Sequence, residues 1–155
     1  MNLTTGQPAP DFNLPDKDGK THSLTDYKGK WLLIYFYPTD DTPGCTTEAC
    51  TFRDNLPKFK DLKAEVVGIS TQDSASHTKF ASKYQIPFTL LADTEKEVVN
   101  KYGVWAPKKM FGREFLGTKR TSFLINPSGI ITRIYENVRP LTHPAQVLED
   151  LRALQ

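Results

Sequence analysis

Trp31-Leu32-Leu33-Ile34-Tyr35-Phe36-Tyr37 is a run of seven apolar or aromatic residues closed by Pro38, and it constrains the fold more than any other segment. A run of that length without polar alternation reads as a strand buried on both faces, which requires structure packed above and below it. Pro38 ends the strand by withholding a backbone donor. The period then changes. Ala49, Phe52, Leu56 and Phe59 recur at helical spacing, so the strand feeds a helix predicted over roughly Thr46 to Leu62.

The same alternation continues along the chain. Phe12 to Leu14 and Lys20 to Ser23 flank Asp18-Gly19 and read as a short hairpin. Glu65 to Ser70 and Phe88 to Ala92 read as buried strands, separated by a helix from about Ser74 to Tyr84, and Val98, Val99 and Tyr102 mark a shorter helix. Thr121 to Ile125 and Ile130 to Tyr135 are strands joined by Asn126-Pro127-Ser128-Gly129, which suits a type I turn and an antiparallel pair. Pro144 opens a last helix with Val147, Leu148, Leu151 and Leu154 inward. This order predicts an α/β architecture, a central mixed sheet flanked by helices. With 155 residues and 38% hydrophobic content, we expect one domain over residues 1–155.

Two cysteines, Cys45 and Cys50, sit at the start of the helix that follows the first long strand. Read as residues alone, they fit either small core side chains or a nucleophile shown at a strand-to-helix junction. Four residues lie between them, so they form neither a CxxC pair nor half of a zinc site, and the chain has no further cysteine. Making a thiolate dominant at neutral pH takes roughly 2 kcal/mol. A helix N-terminus supplies about 0.3–1 kcal/mol, and Asp40 and Asp41 would oppose ionisation if they approached the sulfur. A cation from elsewhere is therefore required.

Pro38, Thr42 and Cys45 stand in the pattern P-x-x-x-T-x-x-C, which resembles the active-site signature of peroxiredoxins, thiol enzymes that reduce hydroperoxides. CTTEAC, with its second cysteine, is similar to the bacterioferritin-comigratory or Q-type branch, as are Trp105 in KYGVW, the segment KKMFGREFLGTKR and Arg120 before TSFLINPSG. The resemblance implies a thioredoxin-like fold and assigns roles. Cys45 resembles the peroxidatic cysteine, whose thiolate becomes a sulfenic acid. Cys50 resembles the resolving cysteine, which closes an internal disulfide. Arg120 matches the active-site arginine and would be the missing cation. Thr42 would hold the substrate by its hydroxyl beside the Cys45 amide, and Pro38 would shield the sulfur from water. Glu48 matches a glutamate that orients the arginine; read alone, it also serves as a first-turn acid favouring the helix dipole. Electrons would return from thioredoxin or a similar dithiol protein, with no bound cofactor or metal. A monomer is expected.

Other functions find less support. A net charge of +2 calls for no nucleic-acid partner; Lys108, Lys109, Arg113, Lys119 and Arg120 do gather, but Glu114 interrupts them and a solvated loop is the simpler reading. In that loop Met110, Phe111 and Phe115 read first as inward-packing, otherwise as an apolar rim for organic peroxides or for the reductant. His22, His77 and His143 are scattered and read as surface or capping residues. Met1-Asn2-Leu3-Thr4 carries no secretory pattern, no run reaches membrane length, and the thiol count points to the cytoplasm. Two alternatives stay open: a thiol–disulfide exchange protein, which leaves Thr42 and Arg120 without a task, and a redox sensor or binding module switched by Cys45 and Cys50.

Overall fold

The structure is a computed structural model that describes residues 3–155. Met1, Asn2 and the side chain of Met110 lie outside the described residues, and with them the start of the N-terminal pattern and the packing expected of Met110. Strands β1 (Asn13–Pro15) and β2 (Thr21–Ser23) form the N-terminal hairpin. Then come β3 (Trp31–Phe36), α1 (Pro43–Asp61), β4 (Ala64–Ser70), α2 (Ser74–Tyr84), β5 (Thr89–Ala92) and α3 (Glu97–Lys101). The chain continues through β6 (Trp105–Met110), β7 (Arg113–Thr118), β8 (Thr121–Ile125), β9 (Ile131–Tyr135) and α4 (His143–Leu154).

Five strands make the predicted mixed sheet in the order β5-β4-β3-β8-β9. Because α1 and α2 each carry the chain back across the sheet, β3, β4 and β5 run parallel; the tight turn after β8 makes β9 antiparallel to it. Strand β3 sits at the centre, which explains its unbroken apolar run. Leu33, Tyr35 and Tyr37 face a core shared with α1, α4 and the Phe80–Ala81 part of α2, whereas Leu32, Ile34 and Phe36 face a second core with α3 and Phe12. Tyr35 and Phe52 stack at 4.8 Å between ring centroids and fasten α1 to the sheet.

Three expectations are corrected. Helix α1 begins at Pro43 rather than near Thr46, because Thr42 takes the extended N-cap conformation and proline is well suited to the first helical turn. The glycine-punctuated loop is instead the β6–β7 hairpin, with Met110 opposite Arg113. Phe111 and Gly112 turn it with φ of 52° and 76°, the two positive values of a type I′ turn. Phe111 and Phe115 are exposed rather than packed inward. Finally, His77 and His143 are buried, since each finds hydrogen-bond partners inside: the Leu91 carbonyl for one ring and the Ser122 hydroxyl for the other. No helix among the described residues is long and apolar enough to cross a membrane.

Candidate active site

Cys45 lies in the first turn of α1, where the helix leaves its leading amides without partners inside the helix. Thr42 makes no side-chain cap to them. Instead its hydroxyl donates to the Thr39 carbonyl at 2.9 Å, while its own carbonyl accepts from the Thr46 amide at 2.8 Å. The N–H of Cys45 is thus left to an incoming group, and the Thr42 oxygen, its proton engaged, keeps lone pairs to accept a hydrogen bond. The Cys45 side chain is 1% exposed.

The cation that the loop lacks arrives from the residue just ahead of β8. Arg120 directs Nη2 to the Cys45 sulfur at 3.4 Å and Nη1 to Glu48 Oε1 at 2.8 Å. One planar fork therefore joins two residues of α1 that stand three apart, on the same helical face. Burial alone would lower the guanidinium's affinity for its proton, but the Cys45 sulfur and the Glu48 carboxylate outweigh it and hold Arg120 above its ordinary value. Glu48 is fully buried, and burial pushes its carboxyl up to about 7 against the pull of Arg120. Its second oxygen, Oε2, and the Tyr35 hydroxyl are buried without hydrogen-bond partners.

Three of the six predicted residues, Cys45, Arg120 and Glu48, are thus in direct contact. Thr42 occupies the N-cap position of the same helix without a side-chain cap. Pro38 stands at the entry to the loop, where its carbonyl accepts from Gln72 at 3.2 Å. Cys50 is half-buried further along α1, and both thiols are free. Asp40 and Asp41 are engaged by other donors: Asp40 by Tyr37, Ser76 and His77, Asp41 by Lys83 and Tyr84.

Two features escaped the sequence. Gly44 has no turn to make; a Cβ there would stand 2.9 Å from Arg120 Nη2, so glycine is what lets the guanidinium lie over the helix start. Lys108, read as solvated, is half-buried with its ammonium within electrostatic reach of the site: burial and Arg120 pull it down while Cys45 pulls it up. Its position opposite Phe115 depends on a hairpin that the sequence did not reveal.

Comparison with known proteins identifies the family and the fold. The model of the AhpC/TSA family matches residues 5–134. The chain is 43% identical over 152 residues to the peroxiredoxin Bcp of Bacillus subtilis, covering 98% of this chain and 97% of that protein. It is 41% identical over 150 residues to the peroxiredoxin Bcp of Escherichia coli K12, covering 97% and 96%. Among solved structures, a PrxQ mutant from Xylella fastidiosa superposes with a TM-score of 0.94 at 30% identity, covering 99% of this chain and 98% of that one. The bacterioferritin comigratory protein of Xanthomonas campestris, studied for its alkyl peroxide reduction, superposes with a TM-score of 0.90 at 33% identity, covering 97% and 99%.

Proposed function

The chain belongs to the AhpC/TSA family and is a thiol peroxidase of the peroxiredoxin kind, and from that premise we propose how its residues divide the work. The Cys45 thiolate attacks one oxygen of hydrogen peroxide or a small organic hydroperoxide. The O–O bond breaks, Cys45 becomes a sulfenic acid, and the other oxygen leaves as water or an alcohol. Cys50 then attacks the oxidised sulfur, forming the Cys45–Cys50 disulfide and releasing water. Thioredoxin or a similar dithiol protein returns two electrons by thiol–disulfide exchange.

One observation supports this most strongly: Arg120 touches the Cys45 sulfur with one nitrogen while Glu48 fixes the other. A guanidinium so held stabilises negative sulfur before attack and offers donors to the peroxide oxygens as charge moves onto the leaving one. The Cys45 amide is a further donor, and the Thr42 oxygen accepts a hydrogen bond from the peroxide O–H, whose proton ends on the leaving oxygen. In this reading residues 1–155 work as one monomeric domain.

Turnover of hydrogen peroxide with thioredoxin, its reductase and the nicotinamide reductant is the test. Cys45→Ser is expected to abolish it. Cys50→Ser is expected to retain one oxidation per chain and lose turnover with thioredoxin. A sulfenic acid trapped by mass spectrometry on Cys50 instead of Cys45 would reverse the assignment.

A further inference from the structure

His77 is a buried titratable group that the reaction as described does not use. It is 0% exposed, and each ring nitrogen meets an oxygen: Nδ1 lies 2.6 Å from Asp40 Oδ2 and Nε2 lies 2.9 Å from the Leu91 carbonyl of β5. Asp40 belongs to the segment between β3 and α1, just ahead of Thr42. Its carboxylate also accepts from the Tyr37 hydroxyl at 2.6 Å and the Ser76 hydroxyl at 2.7 Å. Burial pushes the Asp40 carboxyl up, but hydrogen bonding and charge from His77, with help from Tyr37 and Ser76, leave it below its ordinary value.

The tether extends along the backbone. The Asp40 amide donates to Gln72 Oε1 at 3.0 Å, and Gln72 Nε2 donates back to the Pro38 carbonyl at 3.2 Å. The segment needs such a hold, because the next residue, Asp41, is in the left-handed region with φ of 59°, which a residue with a side chain leaves readily unless its neighbours prevent it.

We propose that His77 is a positioning residue for peroxide reduction, which acts through Asp40 to fix the loop that presents Thr42 and Cys45. A buried carboxylate and imidazole are an inefficient means of stabilising a fold compared with apolar packing. Their use is directional: three short hydrogen bonds place the Asp40 carboxylate, a fourth anchors His77 itself to the Leu91 carbonyl, and Asp40 sets the path by which the chain enters α1. The thiolate itself depends on Arg120, which comes from the opposite side. Loss of His77 therefore disturbs the geometry of peroxide attack more than the existence of the nucleophile.

Two rapid-mixing rates on the reduced full chain separate these effects: oxidation by hydrogen peroxide, which needs Thr42, Cys45 and Arg120 in register, and alkylation by iodoacetamide, which needs only an accessible thiolate. His77→Phe is expected to slow oxidation about tenfold or more while alkylation stays within about twofold. His77→Asn, which keeps a donor near the Nδ1 position, should recover most of the lost rate. Tyr102→Phe removes a comparable hydrogen bond, to the Pro10 carbonyl at 2.6 Å on the other face of the sheet, and should leave both rates unchanged. Asp40→Asn carries the same prediction as His77→Phe should the latter fail to fold. Parallel loss of both rates, or an oxidation rate in His77→Phe and Asp40→Asn equal to that of the unsubstituted chain, overturns the proposal. It rests on Cys45 as the attacking residue; oxidation of the unsubstituted chain elsewhere than at Cys45 would overturn both.

Discussion

Arg120 is held at both ends of its fork, and Gly44 is what gives it room. Two substitutions make the point together. Arg120→Ala is expected to slow peroxide attack roughly a hundredfold, the usual consequence of removing one donor aimed at developing charge. The comparison belongs at a pH where ionisation of the sulfur is complete, so that only stabilisation of the transition state is read. Gly44→Ala should act as a milder form of the same lesion. Alanine at a helical position gains up to about 1 kcal/mol over glycine, yet its Cβ would meet Arg120 Nη2 at 2.9 Å. The expected outcome is unchanged or raised thermal stability with peroxide attack slower by about tenfold. A Gly44→Ala protein that reacts at the original rate would show that the guanidinium adjusts without leaving the sulfur. That Arg120 would stand beside Cys45 was legible from a resemblance; the reason for Gly44 was not, because it depends on a side chain from a distant part of the chain.

Helix α1 holds both cysteines. Five residues along a regular helix place two Cα atoms about 8.6 Å apart, beyond the roughly 7 Å that a disulfide allows. Under the proposed cycle the turns between Cys45 and Cys50 must therefore unwind whenever the disulfide forms. Pro57 already removes one bond from the middle of α1, to the Arg53 carbonyl, yet the helix runs through it to Asp61. Hydrogen exchange on the two redox forms is expected to show amides from about Thr46 to Arg53 protected when reduced and released when oxidised. Equal protection in both forms would rule out the melting step. The same helix shows what sequence can carry: its apolar stripe and the continuous run of β3 were readable because burial imposes period. The β6–β7 hairpin was not, because Pro107, Lys109, Arg113, Glu114 and Leu116 are exposed, and strands without a buried face have no alternation to read. His77 and His143 were misread for a related reason: an isolated histidine carries no sign of the oxygens that will surround it.

Across the whole molecule, two buried groups give stability opposite dependences on pH. Burial lowers His143 from 6.5 to about 4, so the unfolded chain binds more protons between those values and stability rises with pH there. Glu48 is raised from 4.5 to about 7, so its contribution is complete at low pH and is lost as pH rises through 7. Each slope is at most about 1.4 kcal/mol per pH unit, and where the windows overlap they largely cancel. Denaturant unfolding from pH 4 to 7, in steps of about half a unit, should therefore show opposite trends in two variants: falling stability with pH in His143→Asn, rising stability in Glu48→Gln. Trends of the same sign would mean that one of the two groups does not titrate as its burial implies.

The sulfur and the guanidinium that touches it are 75 residues apart in the chain. They meet only once β8 has docked beside β3, a non-local pairing of the kind that forms late and slowly. A newly made or unfolded chain thus carries Cys45 as an ordinary thiol, spared from oxidants while no partner thiol or reductant can serve it. Under the proposed division of work, reaction of Cys45 with peroxide is then a property of completed tertiary structure, and the refolding of this protein can be followed by the return of its own chemistry.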